Sequence, residues 1–522
     1  MQIKNLMKTK FTFLFLLFSC AAFSQIEENK LDELIQNTLK TFDVPGISVG
    51  IVKDGKVVYS KGFGVSSLTT NQKMTDETLV GIASNSKGFT ATALAMLVDE
   101  GKLSFDDKVS QYIPEFQMND AYVSQEVTIK DLITHRAGLG LGQGDLMFFP
   151  EGGSLSVKDI VHNVRYLKPE PSLCTTLDYN NIIFIVAGEV IHRVSGLSWA
   201  DFIEQRILKP VGMTASFGSY NRAKAANVSN IISAHAPVDG KVIAVPHDWN
   251  ETANAAGGII SNIKDMATWA DFLMNGFTTK GGKKLVSDQQ IQQLWNLQIS
   301  TPVALKNSYD SNFGGYGLGW FLTDVKGHKQ VYHTGGLIGT VTQFTLIPDM
   351  KLGIIVLTNQ QSGAAFSSIT NTVKDSYLRM PQKNWLKTYG DRMSKINADF
   401  DQRKKEIFAK SEAFKKDKNG QIKGEQILGT YIDPWFGEVT ILNDGKAFRI
   451  ICKNSPRLKG ELLPYSSNVM IAKWDDRSYD ADVFVNFNLD ENGKATGMKL
   501  KPISDVTDFS FDFEDLDLKR KN

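Results

Sequence analysis

The sequence is poor in cysteine and carries almost no net charge. Three cysteines occur in 522 residues, and the two outside the N-terminal apolar run are Cys174 and Cys452. Two cysteines far apart in sequence make neither a disulfide framework nor a metal cluster, so we expect buried free thiols. The formal net charge of +1 provides no basic stripe for nucleic acid. These absences argue against a disulfide-stabilised scaffold, a cysteine-based metal site and a nucleic-acid partner.

The chain also lacks any apolar run of about twenty residues, the length that spans a bilayer. Its one marked apolar run, residues 11–18, follows three lysines and precedes the small-x-small triplet Ala22-Phe23-Ser24. This order is typical of an export signal, so we expect residues 1–24 to be a signal peptide. The mature protein would then be periplasmic or secreted, without a transmembrane segment. A lipid anchor at Cys20 is the alternative, although the bulky Phe18 fits a lipoprotein cleavage site poorly.

Strand patterns at two places bracket a helical middle. Residues 46–64 alternate apolar positions around Asp54-Gly55, a strong hairpin turn, and residues 331–359 return to the strand pattern. Helical patterns dominate between about 84 and 275. The simplest closure pairs the two strand regions in one antiparallel sheet with helices packed on it, an α+β fold. We assign residues 25–380 to this domain.

The C-terminal part of the chain changes character twice. Residues 381–425 are dense in charge with few large apolar residues, which predicts an exposed helix and then a linker. Residues 426–522 contain short alternating strands separated by turn sequences such as Asn443-Asp444-Gly445. About eight strands in roughly ninety residues predict a small antiparallel β-barrel.

The stretch Ser84-Asn85-Ser86-Lys87 opens a long helical pattern and has two interpretations. It is either a helix cap with a solvated lysine one turn later, or a nucleophile with its base, because positions i and i+3 share a helix face. A lysine can act as that base if burial or a nearby cation lowers its pKa. The spacing alone is weak evidence, because Ser261-Asn262-Ile263-Lys264 repeats it where an ordinary N-cap explains it.

Two further motifs follow in order along the chain. Tyr179-Asn180-Asn181 lies at another predicted helix start, and His333-Thr334-Gly335-Gly336 lies on a predicted strand. With these three motifs the chain resembles the penicillin-recognising serine hydrolases, which include class C β-lactamases, D-aminopeptidases, D-alanyl-D-alanine carboxypeptidases and esterases. The resemblance covers about residues 30–375 and implies a β-lactamase-like sheet flanked by helices. Further matching stretches are residues 128–140, 207–214, 255–269 and 315–321.

The resemblance implies a role for each residue of the first two motifs. Ser84 would attack a carbonyl and become acylated, and Lys87 would accept its proton. Tyr179 would relay protons between nucleophile and leaving group, with a core aromatic as the alternative interpretation. Asn181 would hold Lys87 and the substrate amide; a helix N-cap is its other interpretation, and both can hold together.

The third motif would form the substrate-binding strand. The backbone N–H groups of Ser84 and Gly336 would make the oxyanion hole, and Thr334 and Gly335 would lie along the substrate. Many β-lactamases and carboxypeptidases carry a lysine at the position of His333. A histidine is mostly neutral above its ordinary pKa of about 6.5, so it grips a carboxylate less well, although it can donate a hydrogen bond or assist proton transfer with Tyr179.

The histidine therefore favours a peptidase or amidase for peptides containing D-residues, or an esterase. A D-alanyl-D-alanine carboxypeptidase or a β-lactamase is the alternative among enzymes. A non-catalytic binding protein of the same fold is the alternative outside enzymes, and the intact set Ser84, Lys87 and Tyr179 argues against it.

The remaining expectations concern partners and cofactors. The seven histidines show no H-E-x-x-H spacing and the chain has no G-x-S-x-G elbow, so we expect neither a metal nor another cofactor. The C-terminal barrel resembles the lipocalin-like domain that some peptidases of this family carry. It would either hold a small ligand or pack against the catalytic domain and shape the cleft or an oligomer contact. The expected partner is a small peptide, amide or ester substrate.

Overall fold

The protein is described by a computed structural model that covers residues 26–169, 173–247, 251–417 and 420–521. The predicted signal peptide and Cys20 lie outside the described residues. Twelve strands of the first domain are described, in chain order: β1 (Gly46–Lys53), β2 (Lys56–Gly64), β3 (Val80–Gly81), β4 (Ala234–Val238), β5 (Lys241–Val245), β6 (Ile260–Ser261), β7 (Ile299–Ser300), β8 (Gly314–Tyr316), β9 (Phe321–Val325), β10 (His328–Leu337), β11 (Thr340–Ile347) and β12 (Leu352–Thr358).

Eight of these strands form one antiparallel sheet in the order β2-β1-β12-β11-β10-β9-β8-β7. The early hairpin and the late strands meet where β1 pairs with β12, with Ile47 opposite Thr358. The predicted α+β fold is therefore confirmed: the two strand-rich regions close a single sheet across the helical middle. A small hairpin of β4 and β5, which turns at Asp239 and Gly240, lies inside the helical middle where no strand was predicted.

The helices follow the predicted distribution. They are α1 (Glu28–Thr41), α2 (Ser86–Asp99), α3 (Ala121–Glu126), α4 (Ile129–Leu132), α5 (Val157–Asn163), α6 (Ile182–Ser195), α7 (Trp199–Ile203), α8 (Lys209–Val211), α9 (Tyr220–Ala225), α10 (Asn254–Gly257), α11 (Ile263–Met274), α12 (Asp288–Leu294), α13 (Gly363–Tyr377), α14 (Trp385–Phe414) and α15 (Gly424–Ile427). α2 is buried along its length from Ser86 to Leu97. It is apolar all round, which is the pattern of a central core helix.

The C-terminal domain is a closed antiparallel barrel of eight strands, as the sequence predicts. Its strands are β13 (Gly429–Asp433), β14 (Gly437–Asn443), β15 (Phe448–Cys452), β16 (Lys459–Ser466), β17 (Val469–Trp474), β18 (Val483–Leu489), β19 (Ala495–Pro502) and β20 (Leu518–Arg520). Large apolar side chains such as Tyr431, Ile450 and Met498 are fully buried in it. They alternate with more exposed positions along each strand, as a barrel wall requires.

The two domains are joined by α14 and by direct packing. α14 is mostly exposed, and its two buried residues lie near its ends: Trp385 donates to the Asp375 carboxylate at 2.6 Å, and Ser411 donates to a carbonyl of β16 at 2.8 Å. The segment between β19 and β20, residues 503–517, reaches back to the first domain. There the Phe511 ring lies 4.8 Å from that of Phe149. The barrel core is thus continuous with the core around α2.

Both cysteines of the described chain are free thiols. Cys452 is buried as predicted, but Cys174 is exposed, so the prediction of a buried thiol is wrong there. Cys174 lies in a loop where its Sγ contacts the Asp131 carboxylate at 3.3 Å instead of packing in the core.

Across the described residues, no single helix is both long and apolar enough to cross a membrane. Only α6 with the helical stretch Trp199–Val211, bent by 72°, meets that standard by length and composition.

Candidate active site

A tight turn places Ser84 at the entrance to α2. A 3-10 turn over Ala83–Asn85 precedes the helix, and Ala83 adopts a left-handed φ of 48°. A non-glycine residue pays about 1–2 kcal/mol for that conformation. Asn85 fixes the turn to the sheet by donating to the hydroxyl of Thr342 at 2.8 Å. Strand β10 approaches closely because Gly335 has no side chain: a Cβ there would lie 2.3 Å from the carbonyl oxygen of Ile82.

The amine of Lys87 is fully buried and has three oxygen neighbours. Nζ lies 3.0 Å from Ser84 Oγ, 2.6 Å from Asn181 Oδ1 and 2.9 Å from the carbonyl oxygen of Ala256. The last two oxygens can only accept hydrogen bonds. A neutral amine has two protons and one lone pair, so both protons go to these acceptors. The lone pair is then left facing the Ser84 hydroxyl.

Burial also sets the charge of the groups around Ser84. Desolvation lowers the pKa of Lys87 to about 7, and the negative charge of Asp145 opposes that change. Desolvation raises the pKa of Tyr179, whose hydroxyl is hydrogen-bonded to Ser84, well above the ordinary range. At neutral pH the tyrosine is therefore a protonated phenol, and the amine is the basic group of the pair.

Asn181 uses its side chain for the site and not for the helix. It occupies the N-cap position of α6 but makes no capping hydrogen bond. Asn180 takes that role, because its Oδ1 accepts from the Ile183 amide at 3.3 Å. The Asn181 amide instead presents Oδ1 to Lys87 and donates from Nδ2 to the Asp145 carboxylate at 2.7 Å. Asn181 is thus the N-cap of α6 by position, but its side chain does not cap the helix.

His333 is buried, and both of its ring nitrogens are engaged. Nδ1 lies 2.6 Å from the carbonyl oxygen of Thr334, which can only accept, so Nδ1 carries the proton. Nε2, 2.9 Å from Tyr316 Oη, therefore accepts from that hydroxyl. Desolvation lowers the pKa of His333 to about 3, further than the sequence analysis expected. The nitrogens bond Thr334 and Tyr316 rather than Tyr179, whose ring centroid is 6.1 Å from the imidazole.

The second Ser-x-x-Lys stretch does not form such a site. Ser261 ends the short strand β6 and hydrogen-bonds the hydroxyl of Ser216 at 2.7 Å. Asn262 caps α11 by accepting from the Asp265 amide at 2.9 Å. Lys264 points to the surface, where it pairs with Glu77 at 2.5 Å. The same spacing thus gives an ordinary helix start here.

The predicted site residues meet around one cavity of about 840 Å³. Its wall includes residues of all three motifs, which are Ser84, Tyr179, Asn181, His333, Thr334 and Gly336. Lys87 lies behind Ser84, and Gly335 lies behind the wall against the Ser84 turn. The barrel side contributes Asp508 and Phe509, and the Phe509 ring packs edge-on against that of Tyr179 at 5.9 Å.

Sequence reasoning missed three residues of this arrangement. Tyr316 lies in the matching stretch 315–321, which was a usable signal. Asp145 follows an unremarkable glycine-rich loop, and Ser510 is in the other domain. Neither carries a motif, and their importance comes only from spatial proximity. Among the residues that the structure describes, no group of three or more His, Cys, Asp or Glu side chains is placed to hold a metal ion.

Comparisons with known proteins give the same picture of two regions. A family model described as Beta-lactamase matches residues 31–378, and one described as a domain of unknown function (DUF3471) matches residues 414–520. The chain is 28% identical over 379 residues to the Unguisins hydrolase ungD' of Aspergillus campestris, covering 69% of this chain and 67% of that protein. It is 27% identical over 337 residues to Protein flp of Staphylococcus aureus, covering 64% of each. The matches therefore span about two thirds of these relatives' length.

Solved structures share the fold. An octameric penicillin-binding protein homologue from Pyrococcus abyssi aligns with a TM-score of 0.61 at 23% identity, covering 94% of this chain and 99% of that chain. A class C beta-lactamase from Rhodobacter sphaeroides aligns with a TM-score of 0.52 at 20% identity, covering 67% and 99% respectively. The first similarity extends over nearly the whole chain, and the second over about two thirds of it.

Proposed function

The chain belongs to the beta-lactamase family, and on that premise we propose that it is an exported serine hydrolase that works through an acyl-enzyme on Ser84. Its substrate would be a peptide or amide containing a D-residue, or an ester. Export rests on the lysine-flanked apolar leader of residues 1–24. The hydrolytic activity agrees with the name of the Aspergillus relative, a hydrolase.

The observation that carries the proposal is the hydrogen-bonding pattern of Lys87. With its two amine protons held by Asn181 and Ala256, the neutral amine can take the Ser84 proton as the hydroxyl attacks a carbonyl. The backbone N–H groups of Ser84 and Gly336 would stabilise the oxyanion. The protonated Tyr179, in hydrogen-bond contact with Ser84, would pass a proton to the leaving group and would be reprotonated by the Lys87 ammonium, which returns the amine to its neutral form. Water would then release the acyl group by the reverse proton path.

The charge around the cavity supports the substrate class. His333 is neutral, so it offers no charge to a substrate carboxylate. Among the described residues that line the cavity, the acidic side chains are Asp43, Asp480 and Asp508, and none is a lysine or arginine; Asp480 pairs with Lys404, and burial raises the pKa of Asp508. A carboxylate at the substrate terminus would meet like charges, whereas an amino group or an uncharged ester would not. We therefore rank an aminopeptidase, amidase or esterase above a D-alanyl-D-alanine carboxypeptidase or a β-lactamase.

The first test is intact-mass spectrometry of the mature protein after reaction with a fluorophosphonate. We expect one adduct, mapped to Ser84, that is absent in Ser84→Ala. Ser261→Ala is the matched control because it removes the serine of the other Ser-x-x-Lys stretch, and it should label like the wild type. No adduct on the wild type would favour the binding-protein alternative. An adduct that survives Ser84→Ala would overturn the assignment of the nucleophile.

The second test compares substrates that differ in one charge. D-alanine p-nitroanilide, its N-acetylated form and p-nitrophenyl acetate present an amine, a blocked amine and an ester. We expect these to be turned over in preference to an acyl-D-alanyl-D-alanine peptide, whose terminal carboxylate faces the aspartates. Preferential cleavage of that peptide would indicate the carboxypeptidase alternative. Rapid turnover of a penicillin would indicate the β-lactamase alternative. Slow deacylation of a bound penicillin would instead indicate the carboxypeptidase.

A further inference from the structure

The base Lys87 is connected to the C-terminal barrel by a chain of buried side chains. Lys87 donates to Asn181 Oδ1 at 2.6 Å, and Asn181 Nδ2 donates to Asp145 Oδ2 at 2.7 Å. The same Asp145 oxygen accepts from Ser510 Oγ at 2.8 Å. Ser510 belongs to the segment between β19 and β20, so the chain of contacts crosses from the first domain to the second. Asp145 is fully buried, and Ser510 is nearly so.

This connection matters because an asparagine amide can turn. If Asn181 presented Nδ2 to Lys87, the amine lone pair would accept that N–H and would be lost to Ser84. Above its pKa of about 7 Asp145 is a carboxylate that can only accept, so it holds Nδ2 and keeps Oδ1 on the lysine. Asp145 therefore sets the orientation of the Asn181 amide. Through Asn181 it also sets the direction of the Lys87 lone pair, although Asp145 does not itself contact the reacting atoms.

Resting on the proposed function, we propose that Asp145 is a positioning residue that acts on Lys87 through Asn181, and that Ser510 of the C-terminal barrel holds Asp145 in place. The barrel is then part of the machinery that activates the nucleophile, and not only a neighbour that shapes the cleft.

The loop that carries Asp145 is fixed to the barrel by a second contact. The amide of Gly144 donates to the carboxylate of Asp512, which is also buried. The other oxygen of Asp145, Oδ1, is buried and has no hydrogen-bond partner among the described residues. The hydrogen bonds of the Asp145 carboxylate therefore come from Asn181 and Ser510, so losing either partner should change how the carboxylate is held.

The charges around Asp145 determine what its replacement should do. Lys87 faces it from α2, and Asp508 and Asp512 face it from the barrel segment. Burial raises the pKa of Asp145 to about 7, and its hydrogen bonds to Asn181 and Ser510 oppose that change. Removing its negative charge should lower the pKa of Lys87 further, because that charge stabilises the protonated amine.

The test measures the rate of Ser84 acylation by a fluorophosphonate as a function of pH in the full mature chain. Asp145→Asn keeps an oxygen that can accept from Asn181, and Asp145→Leu removes it. Ser510→Ala removes the hydroxyl that holds the carboxylate, and Ser510→Thr restores a hydroxyl. Asn163→Ala is the matched control, because Asn163 also donates across the domain interface, to Trp435 at 2.9 Å. It contacts none of the site residues.

We expect Asp145→Asn to acylate within about 3-fold of the wild type above pH 8, with the midpoint of the acid limb moved to lower pH, because the acceptor remains and the charge is gone. Asp145→Leu should fall by about 100-fold and Ser510→Ala by about 10-fold, because a misdirected base loses its near-attack geometry. Ser510→Thr should recover most of the rate, and Asn163→Ala should match the wild type.

The outcomes separate this inference from the proposed function. If the wild type labels on Ser84 and Ser510→Ala and Asp145→Asn behave identically to it at every pH, the inference is wrong and the proposed function stands. If losses of rate simply follow losses of melting temperature, Asn163→Ala included, the two residues are structural and the inference is wrong. A wild type that does not label overturns both. Should Asp145→Leu fail to fold, Asp145→Asn and Ser510→Ala still decide.

Discussion

Replacing Lys87 by methionine should change how stability depends on pH in a direction that only a buried amine produces. Methionine keeps the apolar stem and removes the amine. The loss of the three Nζ contacts therefore changes the free energy of unfolding by the same amount at every pH. What varies with pH is the proton. In the unfolded chain the lysine has its ordinary pKa near 10.5, and in the folded protein burial lowers it to about 7.

The sign and size follow from proton linkage. Between these two values the unfolded state holds a proton that the native state has lost, so the stability of the wild type rises with pH. Burying this lysine lowers the free energy of unfolding by about 5 kcal/mol below about pH 7, and this penalty disappears as pH approaches 10.5. From pH 8 to pH 10 the wild type should therefore gain about 2 kcal/mol relative to Lys87→Met.

The assay is urea unfolding of both proteins at several pH values, followed by fluorescence and circular dichroism together. A two-state free energy is used where the two transitions coincide. Lys264→Met is the control, because Lys264 is half-exposed and its hydrogen bond to Glu77 raises its pKa, so its difference curve should not rise. A flat difference for Lys87→Met would refute a lowered lysine pKa, and with it the neutral amine as base.

Three further changes test other parts of the structure. Gly335→Ala should lower the melting temperature, and it should slow acylation by at least about 10-fold, because the added Cβ would lie 2.3 Å from a backbone oxygen of the Ser84 turn. Tyr316→Phe should cost about 1–3 kcal/mol in chemical unfolding, because it leaves the buried Nε2 of His333 without a donor. Asp482→Asn should destabilise the barrel by about 3 kcal/mol in the same assay, because it breaks the buried two-pronged pair with Arg477.

The contrast between the two Ser-x-x-Lys stretches shows how far a local pattern reaches. Both place serine and lysine beside a helix start, and sequence context distinguished one from the other. Only the packing explains the difference physically. Lys87 is enclosed by α2, α6 and α10 and loses its hydration, whereas Lys264 stays in water beside Glu77. A lysine becomes a base by where it is buried, and no spacing rule contains that information.

His333 shows a similar limit. Its sequence position indicated a neutral side chain with a nitrogen available to substrate or to Tyr179. The structure retains the neutrality but gives both nitrogens other partners, Thr334 and Tyr316. The reason is that β10 is an interior strand of the sheet, so the imidazole, although it lines the cavity, lies within hydrogen-bond distance of a tyrosine from β8. Sequence spacing cannot show which neighbour reaches a side chain first.

The elements that depend on short-range patterns were predictable from the sequence. Alternating residues around Asp54-Gly55 and Asn443-Asp444-Gly445 specified hairpins, the apolar run after Ser84 specified a buried helix, and three ordered motifs specified the residues that meet at one cavity. Hydrophobic periodicity and turn chemistry act over a few residues, so they are legible in a single chain. The burial of Lys87 and the contact between Asp145 and the barrel segment, by contrast, arise only in the folded chain. Asp145 and Ser510 are separated by 365 positions, and they touch because two domains share one core. Desolvation and hydrogen-bond orientation are properties of such contacts, so they exist only once the chain has folded.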